Sequence, residues 1–326
     1  MAEKLKQHLR KKSEDHSQLK LLQSQWNFDE ELIPKALQNI ISIFPHYSRH
    51  DASHSQHILL NIERLLGETI TSLTATDTWL LLEAAYWHDI GMVITSDDIS
   101  NDLKSAEFKE YVADIASQKG HELQIFAKQF STLDPRDCFA SAETSQEAVE
   151  LYRQLLAGWY WIRHSKRAAG IVDTPWERLG ITSPRNELVP RRLFLLLGTI
   201  CRMHGCTFAC ILEDLPFCET GMATDDCHPR FIACLLRLGD LFDLDDNRFC
   251  PVMLRVAGHI PPSGLAHISR HDALKHFRLD PDRVEITAEC QNYESYEVTD
   301  QWFRWIEEEF SNQMTHCGLK VPDLDL

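Results

Sequence analysis

The chain has 326 residues, of which 44% are apolar, and a formal net charge of −16. This length and apolar content are sufficient for a globular protein with a substantial buried core. The negative charge argues against broad, nonspecific binding to duplex nucleic acid, although a local basic groove or a bound cation could still attract a phosphate group.

Cysteine usage and hydropathy indicate where the protein works. The 10 cysteines are scattered along the chain without the dense framework of a small disulfide-linked domain, which indicates reduced thiols. The longest apolar stretch, residues 193–201, is far too short to cross a bilayer, so no membrane association is expected. The lysine-rich start of the chain has the charge of a signal peptide, but no apolar segment follows it. We therefore expect a cytoplasmic protein.

Residues 1–30 are polar and lysine-rich, and we predict that they form an N-terminal extension. Spaced leucines are compatible with a helix that packs on a partner, but the many charges favour a solvated tail or a loose helix. From residue 31 the apolar positions follow a helical pattern, and we predict a helical domain over residues 31–250.

Helical periodicity recurs throughout this domain. One apolar stripe ends at Gly67, and Thr76 or Asp77 can cap the next helix, which is expected to run to Gly91. The remaining predicted helices cover residues 144–170, 190–204 and 230–242.

The character of the sequence changes after residue 246. Prolines interrupt the helical periodicity, and residues 284–288 alternate between apolar and polar side chains as in a strand with one buried face. An aromatic-rich helix around Trp302 follows. We predict a mainly α protein in which residues 251–326 form a small mixed α/β extension packed on the helical domain.

His88 and Asp89 stand at the end of an apolar run, residues 79–87. An imidazole beside a carboxylate on a buried helix is costly to fold unless something binds both groups. The other two His-Asp dipeptides, residues 50–51 and 271–272, lie among polar residues and are expected to be solvated. We therefore predict a metal site at His88 and Asp89.

Such a site needs further ligands, because consecutive helical residues point about 100° apart and cannot complete a coordination shell. Each candidate alone is weak, since an isolated helical histidine is usually not a ligand. In combination and in this order they form a specific signal. The candidates in helical, partly apolar surroundings are His54, His164, His204 and Asp240.

At these residues the sequence resembles the HD superfamily of metal-dependent phosphohydrolases. Two further segments are similar to the additional histidines of branches that bind two metals. The segment that contains Arg248, with the part that follows His271, resembles a bacterial subgroup whose HD domain often precedes an ATPase domain of the heat-shock-chaperone type. That similarity implies that the protein could act with a protein partner or be fused to an ATPase domain. The matching segments are 54–59, 84–91 and 235–240, and the two additional ones are 162–167 and 200–205.

The resemblance implies a ligand set and a reaction. Imidazole and carboxylate ligands suit Mn, Fe, Ni, Zn or Mg without selecting among them. Two ions about 3.5 to 4 Å apart would activate a hydroxide for in-line attack on phosphorus. The implied reaction is hydrolysis of a phosphoester of a nucleotide or related substrate, with Asp89 at the catalytic centre. The implied ligands of the first metal are His54, His88, Asp89 and Asp240. The implied ligands of the second are His164, His204 and, as a bridge, Asp89.

Basic residues near His164 are candidate phosphate contacts. Arg167 lies three residues further on, on the same helical face, and could neutralise a phosphate oxygen. Lys166 and Arg202 are alternatives, and pairing of these bases with acidic neighbours is an equally good interpretation. Arg237 is expected to orient a carboxylate rather than to touch substrate. The acidic run Asp243, Asp245 and Asp246 could bind a cation, but a helix end with solvated acids is the expected arrangement.

Other interpretations compete with this one. Cysteines and histidines within residues 201–228 could form a structural zinc site, but they lack a clean C-x2-C spacing. His50 and His54 have the spacing of a zinc-protease helix without its glutamate. A sensor module that binds a nucleotide or a metal without turnover is the alternative from a different class, and the complete ligand set favours catalysis over it.

The sequence does not select a substrate within the family, because fold alone does not determine chemistry. Ile90 and Gly91 follow His88-Asp89 where hydrolases of alarmones have a Glu-Asp pair, which disfavours an alarmone. Residues 159–161, Trp-Tyr-Trp, could stack on a base, although an aromatic cluster on a helix is more often part of the core.

Overall fold

The computed structural model is mainly α-helical, as predicted, with a small α/β part near the C-terminus. Its described residues are 2–14, 16–48, 50–132, 137, 144–183, 189–244, 252, 255, 258, 260, 262–316 and 323–325. The helices are α1 (Lys4–Ser13), α2 (Leu19–Leu37), α3 (Ala52–Leu66), α4 (Ala75–Trp87), α5 (Ser96–Asp102), α6 (Ala106–Ser117), α7 (Gln124–Thr132), α8 (Ser145–Trp161), α9 (His164–Asp173), α10 (Pro175–Leu179), α11 (Arg191–Met203), α12 (Phe208–Asp214), α13 (Pro229–Leu241), α14 (Pro262–Ala273) and α15 (Tyr293–His316). Short 3₁₀ turns occur at Ile40–Ser42, Gly67–Ser72 and Ile90–Met92.

The strands form two small sheets. β1 (Glu219–Thr220) pairs antiparallel with β2 (Asp226–Cys227). In the second sheet the order is β3 (Leu274–Leu279), β4 (Arg283–Ala288) and β5 (Asp323–Asp325), with β3 and β4 antiparallel and β4 and β5 parallel. Val284 and Ile286 of β4 are buried, which confirms the alternation predicted for this strand.

Helix α4 is the centre of the fold. All of its residues are buried, and α1, α2, α3, α11 and α13 pack around it. A helix that is apolar on every side is stable only when it is surrounded in this way. Its N-cap is Thr74, which forms a capping box with Asp77, rather than Thr76 or Asp77. The helix ends at Trp87 with His88 as its C-cap, short of the predicted end at Gly91.

The N-terminal segment is not the solvated tail that its lysines predicted. Leu5 and Leu9 of α1 are fully buried in the main core, and α1 packs on α4. Nδ1 of His8 lies 2.8 Å from the hydroxyl of Thr78. The expectation failed because two leucines four residues apart form an apolar stripe on one face, while the charges occupy the opposite face.

The single helix predicted over residues 144–170 is two helices. α8 ends at Trp161, Ile162 is its C-cap, and Arg163 is the N-cap of α9. The break places His164 in the first turn of α9, close to the C-terminal end of α4. The periodicity of the sequence continues across the break, which is why the interruption could not be read from it.

The C-terminal part has a second apolar core that joins it to the helical part. Leu65 of α3 and Leu238 of α13 pack there with Trp302 and Phe310 of α15 and with Val284 of β4. Among the described residues, no helix is both long and apolar enough to cross a membrane.

Candidate metal centre

The structure brings the six predicted ligands together at the ends of five helices. They form two groups, and within each group the ligand atoms lie within 4.8 Å of one another. The first group consists of His54, His88 and Asp240. The second consists of Asp89, His164 and His204. Two His/Asp groups of this kind could hold divalent metal ions.

Asp89 lies between the two groups. Its Oδ2 atom is 3.4 Å from Nε2 of His54 and 3.1 Å from Nε2 of His88. Its Oδ1 atom is 3.8 Å from Nε2 of His164 and 3.7 Å from Nε2 of His204. One carboxylate oxygen therefore faces each group, which is the arrangement that a bridging ligand requires.

Backbone carbonyls fix the orientation of three of the histidines. A carbonyl oxygen only accepts hydrogen bonds, so each Nδ1 atom must carry the hydrogen. The lone pair is thereby left on Nε2, the atom that faces the site. The pairs are His88 Nδ1 with Ala85 (3.1 Å), His164 Nδ1 with Trp161 (2.5 Å) and His204 Nδ1 with Cys201.

Asp243 fixes the ring orientation of the fourth histidine, His54. The prediction that Asp243 is a solvated acid was therefore wrong. Its side chain is buried, and Oδ2 lies 2.5 Å from Nδ1 of His54, while Oδ1 lies 3.4 Å from Nδ1 of His57. A carboxylate behind a ligating imidazole orients the ring and makes it a stronger ligand. Asp245 and Asp246 lie outside the described residues. One sequence signal could have identified Asp243: it follows the predicted ligand Asp240 by three residues, which is close to one helical turn.

The ionisation of the site suits a cation. Burial and the neighbouring His164 and His88 lower the pKa of His204 to about 3, so this imidazole is neutral at neutral pH. Burial opposes ionisation of Asp89 and Asp240, but the nearby histidines outweigh it and hold the pKa of both carboxyls below its usual range.

The contact between His164 and His204 supports the same conclusion. Their Nε2 atoms are 2.7 Å apart, and both face Oδ1 of Asp89. Two imidazole nitrogens this close together can bind the same cation. Neutral imidazoles and ionised carboxylates are the forms in which these residues bind divalent metals. The donor set therefore fits such ions.

The family model named HD-CE matches residues 44–312. The chain belongs to the HD-CE family. The match includes both metal-binding groups, the carboxylate of Asp243 and most of α15. No curated protein and no solved structure gave a significant match to the chain.

The HD-CE structure holds Arg167 away from the cavity. Nη2 of Arg167 lies 3.1 Å from Oδ2 of Asp98, and Nε donates to the carbonyl of Gly91 at 3.0 Å. Lys166 is exposed, and neither base is among the described residues that line the cavity. Their role as phosphate contacts stays a prediction, and the contacts of Arg167 favour a role in positioning the turn after Asp89.

Arg167→Met therefore tests structure against substrate binding. We expect a loss of about 2 kcal/mol in the free energy of unfolding at neutral pH, because charge-assisted hydrogen bonds are removed. Burial raises the pKa of Asp98, but Arg167 more than compensates and holds it below its usual value. The part of this stabilisation that comes from the Asp98 carboxylate is thus present above about pH 4 and is lost as the pH falls below it, so the variant should move closer to the wild type there. The bonds of Arg167 to the carbonyls of Gly91 and Val93 do not titrate and account for the difference that remains. Urea unfolding at several pH values measures this, and a raised KM with unchanged stability would contradict it.

Two further arginines bind carboxylates. Arg202 pairs with Asp214 at 2.6 Å. Nε and Nη2 of Arg237 lie 2.7 Å from the two oxygens of Glu309, a residue of α15. Arg237 thus links the C-terminal helix to α13 beside the metal-binding groups. Arg248 lies outside the described residues.

The two other His-Asp dipeptides, which the sequence predicts to be solvated, contain buried histidines. His50 and His271 are 9% and 8% exposed. His50 lines the cavity next to the ring of His54, and Asp51 caps α3 by accepting from the backbone N–H of Ser53. His50 precedes α3, so the two histidines do not share a helix as in a zinc protease.

The competing zinc site receives no support. Burial, with Asp77 nearby, raises the pKa of Cys227 to about 12, which disfavours a thiolate ligand. His228 instead pairs with Asp77 at 2.9 Å. Across the described part of the chain, the groups of residues that could hold a metal contain no cysteine.

A cavity of about 940 Å³ adjoins the metal-binding groups. Asp89, His164 and Asp240 line it together with Trp161 and one face of α15, on which Trp305 lies. Its volume is at the upper end of the range for small-molecule sites.

Proposed function

We propose that this HD-CE protein is a metal-dependent phosphohydrolase that cleaves a phosphoester of a nucleotide or related compound. The observation that carries the proposal is the position of Asp89, with one oxygen toward each group of histidines. Divalent ions held by the two groups would supply Lewis acidity and an activated water for attack at phosphorus.

The residues of the chain have distinct tasks in this proposal. Asp89 bridges the two groups, and Asp243 orients the ring of His54 so that its Nε2 atom faces the site. The carbonyls behind the other three imidazoles prevent their rings from turning. A site held so rigidly needs no reorganisation when a phosphate enters, and preorganisation of this kind is the main protein contribution to such reactions.

The adjoining cavity supports a substrate of small-molecule size. It is open at the metal-binding groups, and Asp89 and Asp240 line it directly. A phosphate bound there would lie next to the proposed metal ligands and not against apolar side chains alone. The closest rival is a module that binds a nucleotide without turnover.

A hydrolysis panel decides between the two. The purified protein is incubated with Mn²⁺ and with nucleoside triphosphates, cyclic nucleotides, cyclic dinucleotides and single-stranded nucleic acid, and released phosphate or nucleoside monophosphate is measured. We expect turnover of one of these classes, lowered about 100-fold or more by His88→Ala. His276→Ala is the matched control, because His276 is an exposed histidine of β3 paired with Glu285. Nucleotide binding without turnover under any divalent metal would contradict the proposal and favour the sensor.

A further inference from the structure

One face of α15 forms part of the wall of the cavity. Trp305, Glu308, Glu309 and Asn312 recur at helical spacing, and all four line the cavity that contains Asp89. The neighbouring positions Trp302, Ile306 and Phe310 are buried in the second core. The helix is therefore fixed by one face and presents the other to the site.

Trp305 is unusual among the aromatic residues of this cavity. Its side chain is 56% exposed, whereas Trp302, one turn earlier, is 2% exposed. Within the part of the chain that the structure describes, no ring contact involves Trp305. An indole left exposed in a concave site is a large apolar surface available for stacking.

The aromatic residues 159–161, which the sequence offered as possible stacking partners for a base but more readily as core, have other contacts in the structure. Trp161 lies parallel to the ring of His164, with centroids 4.8 Å apart and an interplanar angle of 19°. Tyr47 packs against it at 5.0 Å. Trp159 and Tyr160 are buried. Trp161 therefore supports a histidine of the metal-binding groups, and Trp305, which is 56% exposed against 38% for Trp161, is the better aromatic platform.

Charge determines which end of a ligand lies at α15. Glu308 is exposed and places a carboxylate one turn from Trp305, while the carboxylate of Glu309 is paired with Arg237. A carboxylate repels phosphate and accepts hydrogen bonds from amino groups. Arg270 also lines the cavity, but its guanidinium lies over the ring of Trp302, 5.2 Å from the centroid. With divalent ions bound, the phosphate of a ligand is thus favoured at the metal-binding groups, and an uncharged ring with amino groups is favoured beside Trp305 and Glu308.

We propose that Trp305 stacks on the nucleobase of the substrate and that Glu308 accepts from an exocyclic amino group of that base. This inference rests on the proposed function, because it takes the phosphate to lie at the metal-binding groups. It assigns selection of the substrate to the C-terminal α/β part of the chain. Adenine, cytosine and guanine carry the required amino group, whereas uracil does not.

Binding of AMP and of ribose 5-phosphate tests the assignment, since the two share a phosphorylated ribose and only AMP has a base. Affinities are measured by titration calorimetry with Mn²⁺ present. We expect AMP to bind the wild type about tenfold or more tightly than ribose 5-phosphate. Trp305→Ala should remove most of that difference without changing binding of ribose 5-phosphate, and Trp305→Phe should retain most of it.

Two controls separate stacking from folding and base preference. Trp176→Ala removes a tryptophan of α10 that is 65% exposed and does not line the cavity, and it should bind AMP like the wild type. Glu308→Gln should reduce the preference for AMP over UMP. Metal content and circular dichroism of each variant report whether the site and fold are intact.

The outcomes distinguish this inference from the proposed function. Equal binding of AMP by the wild type and Trp305→Ala overturns the inference, as does wild-type protein that binds AMP no better than ribose 5-phosphate. If hydrolysis depends on His88 while Trp305 has no effect on AMP, only the inference fails. If AMP binding depends on Trp305 while no phosphoester is cleaved, only the hydrolase proposal fails.

Discussion

Asp89→Ala is expected to release both metal ions and to abolish hydrolysis. Its two carboxylate oxygens face different groups of histidines, and among the described members of the two groups Asp89 is the residue placed to contribute to both. Loss of the carboxylate also leaves the Nε2 atoms of His164 and His204 facing each other without the negative charge that lies 3.8 and 3.7 Å away. Bound metal per chain, determined by mass spectrometry after dialysis, measures the effect.

His164→Ala is the informative contrast to Asp89→Ala. It removes a proposed ligand from the second group and leaves His54, His88 and Asp240 in place. We expect it to lose mainly one ion while the other remains. Loss of a single ion in Asp89→Ala, or unchanged metal content in His164→Ala, would show that Asp89 does not bridge two metals.

Gly91→Ala is expected to destabilise the fold and to weaken the second metal-binding group. A Cβ atom at this position would lie 1.9 Å from the backbone oxygen of His164 and 2.7 Å from the backbone nitrogen of Ala168. Both obstacles are backbone atoms of α9, so a side-chain rotation cannot relieve the clash. The helix that carries His164 must shift, and overpacking of this kind costs about 1–3 kcal/mol or more.

Gly170→Ala provides the matched control for Gly91→Ala. Gly170 lies in the same helix, α9, and a Cβ atom there would have no neighbour within 4 Å. Because alanine favours a helix over glycine, this variant should gain up to about 1 kcal/mol. Urea unfolding and metal affinity of both variants are compared with the wild type. A stable Gly91→Ala protein with normal metal content would contradict the close approach of α9 to the turn after Asp89.

The sequence was sufficient for the features that depend on local pattern. The apolar run before His88 predicted the buried α4, and the alternation of residues 284–288 predicted β4. The resemblance to the HD superfamily pointed to six ligands, and the structure brings those residues together. In each case the side chains themselves contain the signal, as apolar spacing or as metal-binding chemistry.

Other features depend on tertiary contacts that no local pattern reveals. Asp243 appeared to be one of several acids at a helix end, and only the packing of α13 on α3 makes it the partner of His54. The many lysines of α1 predicted a solvated segment, yet two leucines are enough to pack the helix on the core. The sequence does not distinguish Trp305 from its neighbours, because a tryptophan in an aromatic-rich helix is usually core. Its exposure depends on which face of α15 the second core buries.

Stoichiometric titration of the metal-free protein with Mn²⁺ tests the central claim most directly. Bound metal and phosphate released from the substrate identified in the panel are followed in the same samples. The account predicts that two ions bind per chain and that hydrolysis appears as the second ion binds. Saturation at one ion per chain, or two bound ions with no phosphoester cleaved, would contradict it.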